Sequence, residues 1–477
     1  MRSRVKYGKN LIWIVLLSLS LSACGDNAES PKESLFQANS NKTAMLSEAE
    51  TDYEVPKTYS SILVDLRGYE SKGDKEAVLF SENLPARFEI VNEKTGEVVY
   101  TGTAKRKEYE SEDGKSVATA NFSSFNTPGT YHIKTELLGK SNSFSIVEDS
   151  YQSEMKRAYA LLHDKRCINC HKLRVPMESD TSKYVDVAGG WHTNADGEKD
   201  VVEAARSVMD ICTLAEYYKE LFSEDLIEET KYELEWLLKM QNAETGGVYT
   251  SVSLQNIAGS EEKQMVVGGE TTRATAYFCA CMAKASVTFK KIDPDFSVKL
   301  FQAAGLAWNC LEANKGIVEK GQMYRASVEM YRATGQSVYN NVVLDYLKEN
   351  AGLPYEDRGS LDSAITYLAS ERATNVDYCT KLMAEYMDRT EEKVRAAEAA
   401  PFFVEPDCSF DELLRNTYEL IVVDYIISSN AYVPLEEDYF HYLRGRNEYS
   451  IDFTEEINTP NQIIQYMFLA GKLYLEK

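Results

Sequence analysis

The chain has 477 residues, 44% of them hydrophobic, and a formal net charge of −23. That apolar content is enough for a large core and excludes global disorder, and the length suggests more than one domain. The charge argues against nucleic acid, whose phosphates it would repel, and against a peripheral hold on anionic lipid; an uncharged polysaccharide stays compatible with it.

In chain order, Arg2, Arg4, Lys6 and Lys9 precede an apolar run, Leu11 to Leu21, that is too short to span a bilayer stably. Leu21-Ser22-Ala23-Cys24 then reads as a lipobox. Residues 1–23 are therefore expected to be a lipoprotein signal peptide, with cleavage before Cys24 and lipidation of its thiol. Residues 24–57 are rich in Ser, Asn, Glu and Lys and read as a flexible tether. The mature chain is expected to be exported and held at a bacterial cell surface through a membrane anchor on Cys24. Export permits disulfides, yet Cys212, Cys279, Cys281, Cys310 and Cys379 lie in apolar helical patterns and read as small buried hydrophobes.

Residues 58–148 read as short strands. Ile62-Leu63-Val64, Ala77 to Phe80, Phe88 to Val91, Val98-Val99-Tyr100, Tyr131-His132-Ile133 and Phe144-Ser145-Ile146 are β-rich runs, separated by turn signals such as Lys94-Thr95-Gly96 and Thr127-Pro128-Gly129. Strands at that spacing predict an all-β sandwich of immunoglobulin type. Over residues 149–477 the period becomes helical. Segments near 151–163, 200–221, 227–241, 272–290, 295–314, 321–334, 338–350, 362–370, 376–388, 411–429, 436–445 and 460–475 carry apolar residues at i, i+3, i+4 spacing, with no strand runs expected between them. By periodicity alone these helices suit six hairpins closed into an (α/α)6 barrel or an irregular solenoid.

The phrase from Val187 through Gly189-Gly190-Trp191-His192-Thr193-Asn194-Ala195-Asp196 closely resembles the GGWHDAGDYGKYVV segment of glycoside hydrolase family 9, the cellulase family. Further similar phrases are Trp236 to Gln241 with Gly246-Gly247-Val248-Tyr249, Thr271-Thr272-Arg273-Ala274-Thr275-Ala276, Glu329 to Gly335, and Tyr442 to Asn447. Glu93 to Gly102 and Phe122 to Tyr131 resemble the immunoglobulin-like domain that precedes many catalytic modules of that family. The resemblance implies the (α/α)6 barrel and an inverting hydrolysis of β-1,4-glucan or a related glycan. Inversion needs two carboxyl groups roughly 6.5–9.5 Å apart, one activating water and one protonating the leaving oxygen.

Carried over residue by residue, the base is Asp196, while Thr193 stands where the family has a second Asp that helps hold the water. The acid is left open between Glu448, which follows Asn447, and Asp452, six residues before Asn458. Trp191 is the expected sugar contact. No His follows His441, so the family's substrate-gripping His-His-Arg loop is absent. These departures set a second reading beside the enzyme, a degenerate member that binds glycan at the surface without cleaving it.

Cys167-Ile168-Asn169-Cys170-His171 has the spacing of a c-type haem attachment. It also lies where some family members build a structural zinc site. Haem is not expected. Cys167, Cys170 and His171 are candidate zinc ligands with a fourth still needed, and a Cys167–Cys170 disulfide is the alternative.

Overall fold

A computed structural model of the chain describes residues 60–168, 174–256, 262–350 and 358–477. The expected signal, lipobox and tether, together with Cys170 and His171, lie outside the described residues. Residues 59–477 form one compact unit. No helix among the described residues is long and apolar enough to cross a membrane.

Ten short strands come first. They are β1 (Ile62–Leu63), β2 (Tyr69–Glu70), β3 (Glu76–Ser81), β4 (Arg87–Asn92), β5 (Val98–Thr103), β6 (Lys105–Glu110), β7 (Ser116–Asn121), β8 (Gly129–Thr135), β9 (Gly139–Lys140) and β10 (Phe144–Val147). One sheet has the order β1-β3-β7-β6; the other runs β2-β10-β8-β4-β5, with β9 on β8. Leu79, Ala118 and Ala120 of the first sheet share a core with Phe88, Ile90, Tyr131, Ile133 and Ile146 of the second. The opposite face of the first sheet is covered too: Val78 and Val117 belong to the helical core, and Phe80 meets Phe402 edge-on at 5.2 Å. Burial on both faces explains why β3 reads as a continuous apolar run and not as an alternation.

Twelve α-helices follow among the described residues: α1 (Ser150–Asp164), α2 (Val201–Tyr217), α3 (Glu224–Lys239), α4 (Thr272–Phe289), α5 (Pro294–Ala313), α6 (Lys320–Thr334), α7 (Ser337–Glu349), α8 (Arg358–Leu368), α9 (Val376–Ala399), α10 (Phe410–Ile426), α11 (Val433–Leu443) and α12 (Pro460–Leu475). The even-numbered helices pack in sequence from α2 to α8, α10 packs on α12, and α12 returns to α2. Odd-numbered helices lie against them. Burial follows this division: α4 buries 14 of its 18 residues and α9 only 4 of its 24. Side-chain caps start α2, α3, α4, α5, α9, α10 and α12, with Ser409–Glu412 and Thr459–Gln462 forming reciprocal capping boxes.

The helix periods place these elements well, but the expected absence of strands in this half is wrong. β11 (Arg174–Pro176) pairs with β12 (Tyr184–Asp186), and β13 (Lys199–Asp200), β14 (Ser251–Asn256) and β15 (Lys263–Val267) form a small antiparallel sheet. The strands β11, β12 and β13 are too short to show a period, whereas β14 alternates Ser251-Val252-Ser253-Leu254-Gln255, a strand signal that the helical reading passed over.

The sandwich is bolted to the helices by buried charge. Asp65, fully buried, accepts from His441 Nδ1 at 2.7 Å and from the backbone N–H groups of Arg67 and Gly68, each at 2.9 Å. Arg444 Nε lies 3.3 Å from the same carboxylate, and its guanidinium donates to the Gly68 carbonyl at 2.8 Å. Gly445, at φ +117°, lies so close to Leu66 that an added Cβ would fall 2.4 Å from Leu66 Cγ. The Tyr442–Asn447 phrase therefore serves as an interdomain anchor.

Burial pushes the carboxyls of Glu233 and Glu436 up to about 8 and that of Glu437 up to about 7. Folded-state values above the unfolded value mean a stabilising contribution that is complete in acid and is lost as pH rises through 7–8. Glu436 has no hydrogen-bond partner on either oxygen, and its electrostatic neighbours are Lys472, Asp424, Glu476 and Glu437. The urea-unfolding midpoint of Glu436→Gln, measured against wild type at pH 5 and pH 8, is expected to gain on wild type at the higher pH. An unchanged difference between the two pH values would refute this.

Candidate active site

The segment from Val187 to Asp200 is a loop held from all sides. Gly189 and Gly190 have φ of +91° and +77°, and a Cβ on Gly190 would meet the Trp236 ring at 2.5 Å. Lys199, 2% exposed, donates to the Val187 and Gly189 carbonyls at 2.7 and 2.6 Å; burial pulls its ammonium down to about 8. The N–H of Cys167 donates to the Gly190 carbonyl at 2.9 Å and that of His192 to the Lys165 carbonyl at 2.8 Å. The motif thus runs beside the Cys167 segment.

Trp191 corrects the sequence reading. It is 1% exposed and part of the core, with its indole N–H donated to Glu229 at 2.7 Å and its backbone N–H to Glu233 at 2.6 Å. No ring face is open to a sugar, so Trp191 supports the loop from beneath. The exposed aromatic beside a candidate acid is Tyr449, 46% exposed.

Asn194 shapes the turn that presents Asp196. Its side-chain oxygen accepts from the N–H groups of Asp196 and Glu198, each at 3.1 Å, and its amide donates to the Glu198 carboxylate at 2.6 Å. Glu198 in turn accepts from the Leu254 N–H of β14 at 2.7 Å. Asp196 sits exposed at the tip, and no hydrogen bond or ion pair among the described residues engages its carboxylate. Thr193 donates both its N–H, at 2.8 Å, and its hydroxyl, at 3.1 Å, to the Glu198 carbonyl. The hydroxyl proton is thereby spent inside the turn, and only its lone pairs remain for a water.

The second strip of the site precedes α12. Asn447 is buried and closes the following loop on itself, donating to the Tyr442 and Ile451 carbonyls at 2.8 and 2.7 Å. Glu448 is half-buried and accepts from the Tyr442 hydroxyl at 3.1 Å. Asp452 has a different occupation: it caps a short 3-10 helix by accepting from the Thr454 N–H and hydroxyl at 2.9 and 2.6 Å, and it pairs with Arg67 of the sandwich at 2.5 Å. Those contacts occupy both carboxylate oxygens, which sets Asp452 aside as the acid.

Both strips reach the same end of the helical domain. Asp196 lies just before the start of α2, whose cap is Asp200, and Glu448 lies in the loop before α12. The two helix starts are stitched by carboxylates that sequence reading missed. Glu203 accepts from the Asn461 N–H at 3.1 Å, and Asp210 accepts from the Asn461 amide at 2.8 Å. Burial pushes the Glu203 carboxyl above the usual range. The Asp200-x-x-Glu203 spacing is a capping signal that marks this helix start, although Glu203 spends its carboxylate on α12. No hydrogen bond among the described residues links Asp196 to Glu448 or Asp452.

Residues 141–461 match glycosyl hydrolase family 9. The chain belongs to this family. Residues 57–140 match the cellulase N-terminal ig-like domain, so the sandwich is the immunoglobulin-like module expected before a family 9 catalytic region. Endoglucanase D of Acetivibrio thermocellus is 25% identical over 438 residues, covering 78% of this chain and 70% of that protein. A xyloglucan-specific endo-beta-1,4-glucanase of Bacteroides ovatus is 21% identical over 413 residues, covering 72% and 70%. Among solved structures, a single mutant of a thermostable endoglucanase from Alicyclobacillus acidocaldarius superposes with a TM-score of 0.71 at 21% identity, covering 83% of this chain and 84% of that one. A Bacteroides ovatus GH9 structure gives 0.72 at 17%, covering 87% and 99%. At these identities the structural likenesses speak for the fold.

As a family 9 chain, the protein keeps a free carboxylate at Asp196 but sets a committed Asp452 and a hydrogen-bonded Glu448 in the strip before α12. The metal reading meets an obstacle at Cys167, which is 6% exposed and disulfide-bonded, with its partner outside the described residues. A disulfide sulfur is not the thiolate that zinc requires, so the oxidised state does not fit the metal. No group of His, Cys, Asp and Glu among the described residues is arranged to hold a metal ion. Cys212, Cys279 and Cys281 are buried free thiols, while Cys310 and Cys379 are free and half-buried.

Proposed function

We propose that the protein is a family 9 glycoside hydrolase that cleaves β-1,4-glucan or a related polysaccharide or oligosaccharide with inversion, on an (α/α)6 barrel. One observation carries the reading: Asp196 is an exposed, unengaged carboxylate on a turn fixed by Asn194, Glu198 and β14, which is what a base awaiting water and substrate needs. The barrel is supported by the packing of even helices on one another, by the heavier burial of α4 than of α9, and by the return of α12 to α2. Endoglucanase names among the relatives support the substrate class.

In this mechanism Asp196 takes a proton from the water that attacks the anomeric carbon. Glu448 gives its proton to the departing glycosidic oxygen, and Tyr449 offers a ring to the sugar. Attack from the face opposite the leaving group turns a β-linkage into an α-anomeric product. Proton NMR of a cello-oligosaccharide digest is therefore expected to show the α-anomer first, with mutarotation following, and Glu448→Gln to slow its appearance about 100-fold or more. A β-anomer appearing first would reject inversion.

The non-cleaving reading is favoured by the Arg67 hold on Asp452 and by Thr193 in place of a second carboxylate; a wild type that binds glucans without turnover would establish it. We also propose export and lipid anchoring at Cys24. Cys24→Ser is expected to release the protein from the membrane fraction or leave it as precursor, and a mutant still membrane-bound at the mature mass would reject the lipobox.

A further inference from the structure

α2 and α12 each present a second end, far from Asp196. At 1.5 Å per residue the 17 residues of α2 span about 25 Å. At this opposite end a cavity of about 520 Å³ opens between the ends of α2, α8, α10 and α12, within the range of small-molecule sites, roughly 300–1,000 Å³.

One wall is aromatic. Tyr217 and Tyr425 stack at 3.8 Å between centroids and 11° between planes, and Tyr218 meets Tyr425 edge-on at 6.1 Å. Tyr425 remains 38% exposed. Burial raises the phenols of Tyr217 and Tyr218 above their usual range, so both stay hydroxyl donors.

The polar lining singles out a ligand class. Asp424 is fully buried. Its Oδ2 accepts from the Tyr432 N–H at 3.1 Å, while Oδ1 has no hydrogen-bond partner. Asp424 is among the residues lining the cavity, and a ligand hydroxyl that reached Oδ1 would supply the donor it lacks. An anion would be repelled by Asp424 and Glu476. The cation position is taken already: Lys472 donates to Asn430 at 3.0 Å and Glu476 at 2.6 Å and lies 5.6 Å from the Tyr218 ring centre. A neutral polyol satisfies what remains, its hydroxyls donating to carboxylate and its C–H face resting on a tyrosine ring.

We propose that this cavity is a second, non-catalytic site that binds one hexopyranose unit, either free or at the end of an oligosaccharide. It stands independently of the hydrolase reading. The test is calorimetric titration of the full chain with glucose and cellobiose, with tetramethylammonium as the charge control. Tyr425→Ala and Asp424→Asn are each expected to weaken glucose binding at least tenfold, while Tyr425→Phe retains it. Where the wild type turns over glucan, its rate is expected to stay unchanged in Tyr425→Ala, while the thermal midpoint falls with the loss of the Tyr217 stack. Glucose binding that survives both Tyr425→Ala and Asp424→Asn overturns the proposal, and so does tetramethylammonium binding more tightly than glucose. Loss of glucose binding in Tyr425→Ala from a wild type without turnover would support this site while rejecting the hydrolase, so the two fail separately.

Discussion

Asp196→Asn is expected to lower turnover of a soluble β-1,4-glucan by about 100- to 10,000-fold, the usual worth of a general base, with glucan binding and thermal midpoint nearly unchanged. The amide keeps the volume of the carboxylate but cannot accept the proton of the water. Stability should hold because Asp196 is exposed and its carboxylate engages no described residue; the turn depends on its backbone N–H and on Asn194. Asn194→Ala is the useful contrast, since it loosens the turn without touching the base. Activity surviving Asp196→Asn would place the base elsewhere. Introducing the second carboxylate of the family at Thr193 has a structural cost, because it removes the hydroxyl bond to the Glu198 carbonyl and sets a negative group near that oxygen.

Asp65→Ala is expected to destabilise the whole unit by about 3–5 kcal/mol, the effect of removing one partner from a buried charge cluster. The substitution strands the Arg444 guanidinium, 1% exposed, and strips His441 Nδ1 of its acceptor. It also leaves the N–H groups of Arg67 and Gly68 without the carboxylate that orders their turn. Glu455→Ala removes a partner of the same interface, Arg67, from a side chain 70% exposed. Exposed pairs contribute about 0–1 kcal/mol, so urea midpoints should separate the two variants clearly. Equal midpoints would mean that the interface does not rest on Asp65.

The helices were legible because burying one face imposes a period, and the ends of α4 and α12 carry caps that the sequence spells out. α9 ran past its expected end at 388 because its solvent-facing turns carry little apolar signal, yet Glu391 to Ala399 still has good helix formers. Trp191 shows the limit of a motif. The phrase around it marks the loop correctly, but its exposure is decided by Glu229 and Glu233, 38 and 42 residues away. Asp452 shows the same limit, since its partner Arg67 belongs to another domain. The tyrosine-walled cavity had no sequence signature, because its lining is assembled from the ends of four helices.

The Asp65 cluster also sets an order of events during synthesis. Asp65 and Gly68 leave the ribosome 376 residues ahead of His441 and Arg444 respectively, a delay of roughly 20 to 75 seconds at ordinary elongation rates. Through that interval the carboxylate has neither His441 nor Arg444 to meet. A chain that terminates before His441 keeps it that way permanently, and the Asp65 face of its sandwich stays in water. Such a truncated product lacks the clamp between sandwich and helices, and is expected to be cleaved sooner than the full chain in a proteolysis time course.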